Sequence, residues 1–512
     1  MNIFGSKPRL KILFVASEAA PFIKAGGLGE VMFSLPRAVK HLGHDARIMI
    51  PRYAGIDQEK FNLEMEIEHL SVATGSDNGQ QPEHLVCNVK KFEPDENDER
   101  SPVTAYFLEN QEYFENRANV YGYTDDAVRW ALFGKGIVEF LRSSRKWVPD
   151  VIIAADWQAA FVINYLKTVY KDDTRLKKIA TIFSIHNLYY QGMFDHHFVS
   201  QMDYDDGKSP IPSFYDPVLL KLNMMKRGIL YADAINTVSP TYAREIMTEE
   251  YGELLDGMLR ERRSVVYGIL NGIDYETVNP KTDPHLAVKY DASNVKKRVK
   301  NKEQLQDRFG LPIRPDAFVV GIVSRLDNQK GFDLLFDTLE PMIRQMDMQL
   351  VVVGSGESRF MGFFDEMSKK FPKNVVAHLS FDLVLPHLIF GGADALLIPS
   401  RFEPSGLTQM EAMRYGVVPI VRKTGGLADT VEDFNPLNNS GTGFVFNDFS
   451  NFSLIVTLTR AFENYRHRDE WSGIQERAMK EDFSWEHSAE EYLALFEKAM
   501  DIKKRELEKQ EF

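Results

Sequence analysis

Cysteine is almost missing: Cys87 is the single thiol in 512 residues. One thiol closes no internal disulfide and builds no cysteine-cluster zinc site, and it fits a reducing cytoplasm. No run approaches the roughly 18 consecutive apolar residues that a membrane span needs. Lys7, Arg9 and Lys11 ahead of Ile12–Ala16 look only superficially like a secretion signal, because the apolar run is short and stops at Ser17-Glu18. Glycine (33) and proline (23) are too sparse for a collagen-like or low-complexity chain. Positive charge is in deficit, with 61 Lys+Arg against 74 Asp+Glu and a net charge of −13, which disfavours a nucleic-acid-binding face. What is present is globular: 44% hydrophobic and 26% charged residues supply large cores and exclude wholesale disorder. The length predicts two or three domains of roughly 150 residues.

The order of elements predicts an α/β fold. Leu10–Ala16 reads as a strand buried on both faces, and a Gly-rich turn follows at Lys24–Gly29. Leu28, Val31, Met32, Leu35, Val39 and Leu42 then recur at helical spacing, Gly43 suits the helix end, and Ala46–Ile50 is the next strand. The pattern returns in the second half: strand Phe318–Ser324, helix Phe332–Ile343, strand Gln349–Val353, strand Asp394–Ile398, a helix through Met410–Tyr415 and strand Val418–Val421. Such alternation gives parallel sheets with helices on both faces, here two Rossmann-like doubly wound domains facing a central cleft. Pro280–Gln304 is polar and reads as a connection or a surface helix. Glu93–Arg100 and Thr74–Glu83 read as loops. A helix from Ala489 puts Tyr492, Leu493, Phe496 and Met500 on one face, with a charged tail beyond Lys503 expected to fray.

Four segments carry candidate chemistry. At Lys24-Ala25-Gly26-Gly27-Leu28-Gly29, glycines permit close backbone approach and a helix start offers free N–H groups to an anion, although a plain turn would read the same. At Ser324–Gly331, Arg325 and Lys330 on a short strand-to-helix loop make a diphosphate clamp or a pair of solvated surface cations. From Pro399 to Gly416, Glu403 precedes a Pro-Ser-Gly turn and Glu411 follows on the next helix; carboxylates and exposed amides of this kind can hold sugar hydroxyls, although a helix-start carboxylate plus a surface carboxylate would read the same outside so dense a pattern. At strand ends stand Asp156-Trp157 and His186-Asn187, which read equally well as a helix cap with a core aromatic and as a satisfied buried histidine. Metal signals are weak, because adjacent His196 and His197 do not share a face and Asp125-Asp126 suits a helix start.

Together these segments resemble the bacterial glycogen synthases and plant starch synthases that use ADP-glucose. Those quoted above are joined, in family order, by Tyr123-Thr124-Asp125, Tyr190-Gln191-Gly192, Ser239–Ala243, Leu270–Asp274, Thr424–Thr430 and Asp482–Trp485. The resemblance implies a GT-B glycosyltransferase with domains at 1–278 (acceptor side) and 279–484 (donor side), and a helix at 485–512 returning to the first. It implies glucose transfer from ADP-glucose to the non-reducing 4-hydroxyl of glycogen or another α-1,4-glucan, with retention. His186, Arg325, Lys330 and Glu403 are implied as catalytic. Lys24, Gly26, Gly27, Asp156, Asn187, Asn271, Ser405, Gly406, Leu407, Thr408 and Glu411 are implied as donor-binding. No metal, pyridoxal phosphate, nucleic acid or membrane is implied, and the setting is cytoplasmic. Ala25, Glu30, Ala155, Gln158, Ser405 and Glu411 depart from the usual Thr, Asp, His, His, Cys and Tyr. A related transferase using UDP-glucose and a non-catalytic glucan-binding homologue are the alternatives; the intact charged set favours an enzyme.

Overall fold

The computed structural model describes residues 8–77, 79–144, 147–192 and 204–510. The chain divides into two compact units, one of Met1–Val238, Ala243–Ile269 and Trp485–Phe512, the other of Ser239–Tyr242 and Leu270–Ser484. The division falls ahead of 278/279 because the chain is already tied to the second unit at Ile273, whose N–H donates to Phe483 O (2.8 Å).

The first unit is built on β1 (Lys11–Val15), β2 (Asp45–Pro51), β3 (Glu64–Ala73), β4 (His84–Phe92), β5 (Ala105–Glu109), β6 (Val151–Ala155), β7 (Ala180–Ile185), β8 (Ala234–Thr237) and β9 (Val266–Gly268). Their order in the sheet is β3-β4-β5-β2-β1-β6-β7-β8-β9. All neighbours pair parallel except β3–β4 and β4–β5. The antiparallel ribbon is the solvated edge, and Glu64, Glu66 and Glu68 along exposed β3 keep it from pairing further. The helix Gly27–His41 buries Val31, Met32, Leu35 and Val39. It closes in a Schellman turn: Gly43 lies at φ +93°, its N–H on Lys40 O and the His44 N–H on Val39 O.

The last helix starts at Trp485, earlier than Ala489, and packs back on the first unit, with Phe496 edge-on to Phe14 and Tyr492 on Asn236. Its charged end does not fray: the helix continues to Gln510. Buried Lys503 bonds Glu506 (2.9 Å), and Glu506 meets Lys167 (3.2 Å), so the charges that suggested a loose tail are the ones that anchor it.

The second unit is a six-stranded parallel sheet of β10 (Phe318–Val323), β11 (Met348–Val353), β12 (Val375–His378), β13 (Ala395–Ile398), β14 (Val418–Arg422) and β15 (Phe444–Phe446), ordered β12-β11-β10-β13-β14-β15. Two expectations fail here. Phe332–Ile343 is not one helix but a 3₁₀ turn at Phe332–Leu335 and a helix at Leu339–Gln345. A continuous helix would drive the Pro341 ring into the carbonyl of Asp337, whereas a restart at Leu339 places it in a first turn. Nor is Pro280–Gln304 a surface connection: Arg298, Asn301 and Lys302 are buried. Arg298 donates to Phe390 O and Ala393 O, and Lys302 to Asp394 (2.7 Å), Ala317 O (2.6 Å) and Tyr465 Oη (2.5 Å).

At the N-terminal ends of the strands both units use one device. An aspartate just before a strand accepts the backbone N–H of the neighbouring strand: Asp150 from Lys11, Asp233 from Thr181, Asp394 from Val319. Asp233 and Asp394 are each also paired with a largely buried lysine, Lys167 and Lys302. At the opposite ends the strand order reverses between β1 and β6 in one unit and between β10 and β13 in the other. Parallel α/β sheets open binding crevices at these reversals.

Candidate active site

In the first unit, three adjacent strands deliver polar groups at their carboxyl ends. After β1 comes Glu18, which is 2% exposed. Its Oε2 accepts the N–H groups of Ala25 and Gly26 (2.9 Å for Gly26), and its Oε1 accepts the Tyr121 hydroxyl (3.0 Å). The amides of the Gly turn, expected to face an anion, thus meet one inside the protein. Gly27 is exposed, and a Cβ there would meet nothing within 4 Å. Lys24 bonds Glu30 (2.9 Å) and keeps about half its side chain in solvent.

After β6, Asp156 corrects the helix-cap reading. Ala155 occupies the cap position. Asp156 sits at φ +56°, a strained conformation for a non-glycine residue. Its Oδ1 accepts the N–H of His186 (2.8 Å), which follows β7. Burial pushes the Asp156 carboxyl up to about 7, against the lowering pull of the His186 and Asn187 amides. Burial pushes His186 down to about 4, so its ring is neutral at pH 7, with Nε2 3.1 Å from Ser184 Oγ. The Asn187 Oδ1 accepts the Tyr189 N–H.

In the second unit, the loops after β10 and β13 meet. Lys330 Nζ lies 2.6 Å from Glu403 Oε2, and Ser400 Oγ donates to the same oxygen (3.0 Å). Gly331 makes this approach possible: it lies at φ +71°, and a Cβ there would stand 2.1 Å from Pro399 O. Arg325 is different, with 66% of its side chain exposed and one arm on Asp327 (3.2 Å). Behind Glu403, Gly425 and Gly426 press against the carbonyls of Glu403 and Ser405, where no side chain fits. The turn at Gly406 (φ +65°) leads through Leu407 to the helix Thr408–Arg414 that carries Glu411. Gln409 Nε2 holds the turn by donating to Gly406 O (2.6 Å). Asn271 Oδ1 and Ser405 Oγ are buried without a hydrogen-bond partner.

Lys24, Gly26, Gly27, Asp156, His186 and Asn187 therefore belong to the first unit, and the remaining candidates to the second. Among the described residues no group of three or more His, Cys, Asp or Glu could hold a metal ion, and no helix is long and apolar enough to cross a membrane. His196 and His197 lie outside the described residues.

Residues 11–261 match the starch synthase catalytic domain family, and residues 303–477 match glycosyl transferases group 1. The glycogen synthase of Clostridium novyi is 40% identical over 490 residues, 95% of this chain and 98% of that protein. The glycogen synthase of Thermotoga maritima is 41% identical over 499 residues, 96% and 99% of the two chains. The chain belongs to the glycogen synthase family. It is a glycosyltransferase with glycogen or starch synthase function. Its two α/β domains have the GT-B fold of the starch synthase IV catalytic domain from Arabidopsis thaliana, solved with ADP and acarbose (TM-score 0.80, 30% identity, covering 96% of this chain and 100% of that one). A sucrose-phosphate synthase from Thermosynechococcus elongatus shares the fold alone (TM-score 0.57, 15% identity).

Sequence reading passed over Glu18, Tyr121, Asp327 and Ser400. Glu18 had a visible signal, an acidic residue directly after a buried strand and just before a Gly turn. Ser400 had a local one, a hydroxyl three positions before Glu403, whereas Tyr121 had none, because its partner lies 103 positions away and only the fold brings the two to hydrogen-bond distance.

Proposed function

We propose that this glycogen synthase family member transfers glucose from ADP-glucose to the non-reducing 4-hydroxyl of an α-1,4-glucan, with retention and without metal or other cofactor, in the cytoplasm. The observation that carries the donor half is the Lys330–Glu403 pair beside exposed Arg325 at the β10/β13 reversal. A departing diphosphate gathers negative charge, and fixed cations stabilise it more than they stabilise the bound sugar nucleotide. Lys330 and Arg325 serve that charge. Glu403 accepts the glucosyl hydroxyls, while the Ser405–Thr408 turn and Glu411 line its surroundings and Asn271 offers the unpartnered Oδ1. On the acceptor side His186, neutral at pH 7, works as a hydrogen-bond partner rather than as an acid. Asp156 holds the His186 backbone in place, and Lys24 with the Gly26-Gly27 turn contacts the donor. The binding of ADP and acarbose by the Arabidopsis enzyme supports a nucleotide leaving group and a glucan acceptor here. Buried, solitary Cys87 suits a reducing compartment.

The test is nucleoside-diphosphate release from ADP-glucose and from UDP-glucose, with and without glycogen. Glycogen-dependent ADP release with lengthening α-1,4 chains is expected. Preference for UDP-glucose overturns the donor, and silence with both overturns the reaction.

A further inference from the structure

Three pieces of the second unit meet around the Lys330–Glu403 pair: the segment 327–333 after β10, the segment 399–403 after β13, and the end of β14. Lys330 sits on the first and Glu403 on the second, so the 2.6 Å between them depends on how these two segments are joined. One residue joins them twice. Arg401 donates its backbone N–H to the O of Gln329 (2.8 Å), directly before Lys330, and its guanidinium pairs with Asp333, three residues after Lys330. Gln329 returns the contact, its Nε2 donating to Phe402 O (3.3 Å).

The guanidinium is itself held in place. It lies 4.1 Å from the centre of the Phe449 ring, and the same ring packs beside Gly331, where a Cβ would stand 2.8 Å from it. Arg422, at the end of β14, donates to Arg401 O and lies 5.7 Å from the Phe449 ring centre. Arg401 is therefore fixed through its N–H, its carbonyl and its side chain. That side chain is directed to Asp333 and Phe449 rather than to the donor groups.

A lysine is a compact charge on a flexible stem, so its ammonium is only as well placed as the backbone that carries it. One side of that backbone is fixed by Asp327, whose carboxylate accepts the Lys330 N–H (3.3 Å). The other side is fixed by Arg401 through Asp333. With 38% and 25% of their side chains exposed, Arg401 and Asp333 form a pair that adds little to folding stability. Yet a displacement of about 1 Å in a positioned group can cost about a hundredfold in rate. We infer that Arg401 is a positioning residue for the transfer: it holds the Lys330 segment against the Glu403 segment, so that the ammonium is in place when the diphosphate departs. The inference rests on the donor reading of Lys330 and Glu403.

Steady-state turnover of ADP-glucose with glycogen tests it in Arg401→Gln, Asp333→Asn, Arg401→Lys and Lys330→Ala, and in Lys330→Ala combined with Arg401→Gln. Arg401→Gln and Asp333→Asn should each lower kcat at least about tenfold with the glycogen KM within about twofold of wild type, because ground-state glucan binding is untouched. Arg401→Lys should recover part of the loss, since it keeps the charge facing Asp333 but not the planar stack on Phe449. In the Lys330→Ala background, Arg401→Gln should cost less than about twofold more, because the group it positions is gone. The thermal midpoints of Arg401→Gln and Asp333→Asn should stay within about 3 °C of wild type. A larger fall in the midpoint, wild-type kcat in both folded variants, or the same loss repeated in the absence of the Lys330 side chain each overturns the positioning role. A roughly hundredfold slower Lys330→Ala beside an unimpaired Arg401→Gln sinks this inference alone, whereas near wild-type turnover in Lys330→Ala sinks the donor reading on which it rests.

Discussion

The two units share an architecture and differ in the charge they present at their strand reversals. Beside half-exposed Lys24, the first collects carboxylates and neutral groups: Glu18 folded onto the Gly turn, Asp156 with its carboxyl near 7, and His186 uncharged. The second collects cations, with Lys330 paired to Glu403 and Arg325 turned to solvent. At their other ends the sheets are alike, each latched by an aspartate–lysine pair, Asp233–Lys167 and Asp394–Lys302. The lesson is that one folding scheme supports opposite electrostatics, because the strand-end loops are free to vary while the buried latch is not. Hydroxyl recognition suits the first set and diphosphate departure the second.

The largest expected effect breaks the similarity at the latches. Lys302→Ala strands Asp394 among apolar neighbours and should destabilise the second unit by about 3–5 kcal/mol. Lys167→Ala should destabilise the first unit less, since Lys167 is more exposed and sits at the edge shared with Glu506. Urea unfolding with hydrogen exchange read separately in each unit measures both, and equal losses would show that the latches are equivalent.

Next come the cations. Lys330→Ala and Glu403→Ala should each lose at least about 2.7 kcal/mol of transition-state stabilisation, roughly a hundredfold in rate. The double variant should lose less than the sum, because the two side chains touch. Near wild-type turnover in either single variant would falsify the role assigned to that residue. Arg325→Gln sharpens the contrast between function and stability. Its side chain is mostly in solvent, so the unfolding midpoint should hold while kcat/KM falls about tenfold.

A pH-dependent effect belongs to the carboxylate side. Asp156 titrates near 7 in the folded chain against an ordinary 3.8, so the folded state keeps a proton that the unfolded state releases. Stability from this group therefore falls as pH rises from about 4 to 7. Asp156→Asn keeps the acceptor for the His186 N–H and removes the titration. Its midpoint advantage over wild type should widen across that window in thermal scans; a constant gap means that the carboxyl does not hold the proton.

Much of the fold was legible. The buried runs of β1, β6, β7, β10, β11 and β13 are nearly unbroken apolar stretches, which only a covered parallel sheet accommodates. Apolar spacing suits one helix over 332–343, but Pro341 forces a restart at Leu339. The segment 280–304 is polar without being wholly exposed, because Arg298 and Lys302 are buried with their partners. At the site, Arg325, Lys330, Glu403, Asp156 and His186 stood out by type and by their place after strands. Nothing in the spacing announced that Lys330 would pair with Glu403, 73 positions on, or that Asp156 would reach His186 instead of capping its own helix.

The amino-acid sequence alone determined the class of fold, the family and the kinds of charge each half can bring, because periodicity, glycine placement and residue type are local properties. Tertiary structure decided the partnerships: which carboxylate meets which cation, which carboxylate fills the Gly turn, and which groups lose water. Pair distance and desolvation set those energies, and both are fixed only when residues tens to hundreds of positions apart pack together.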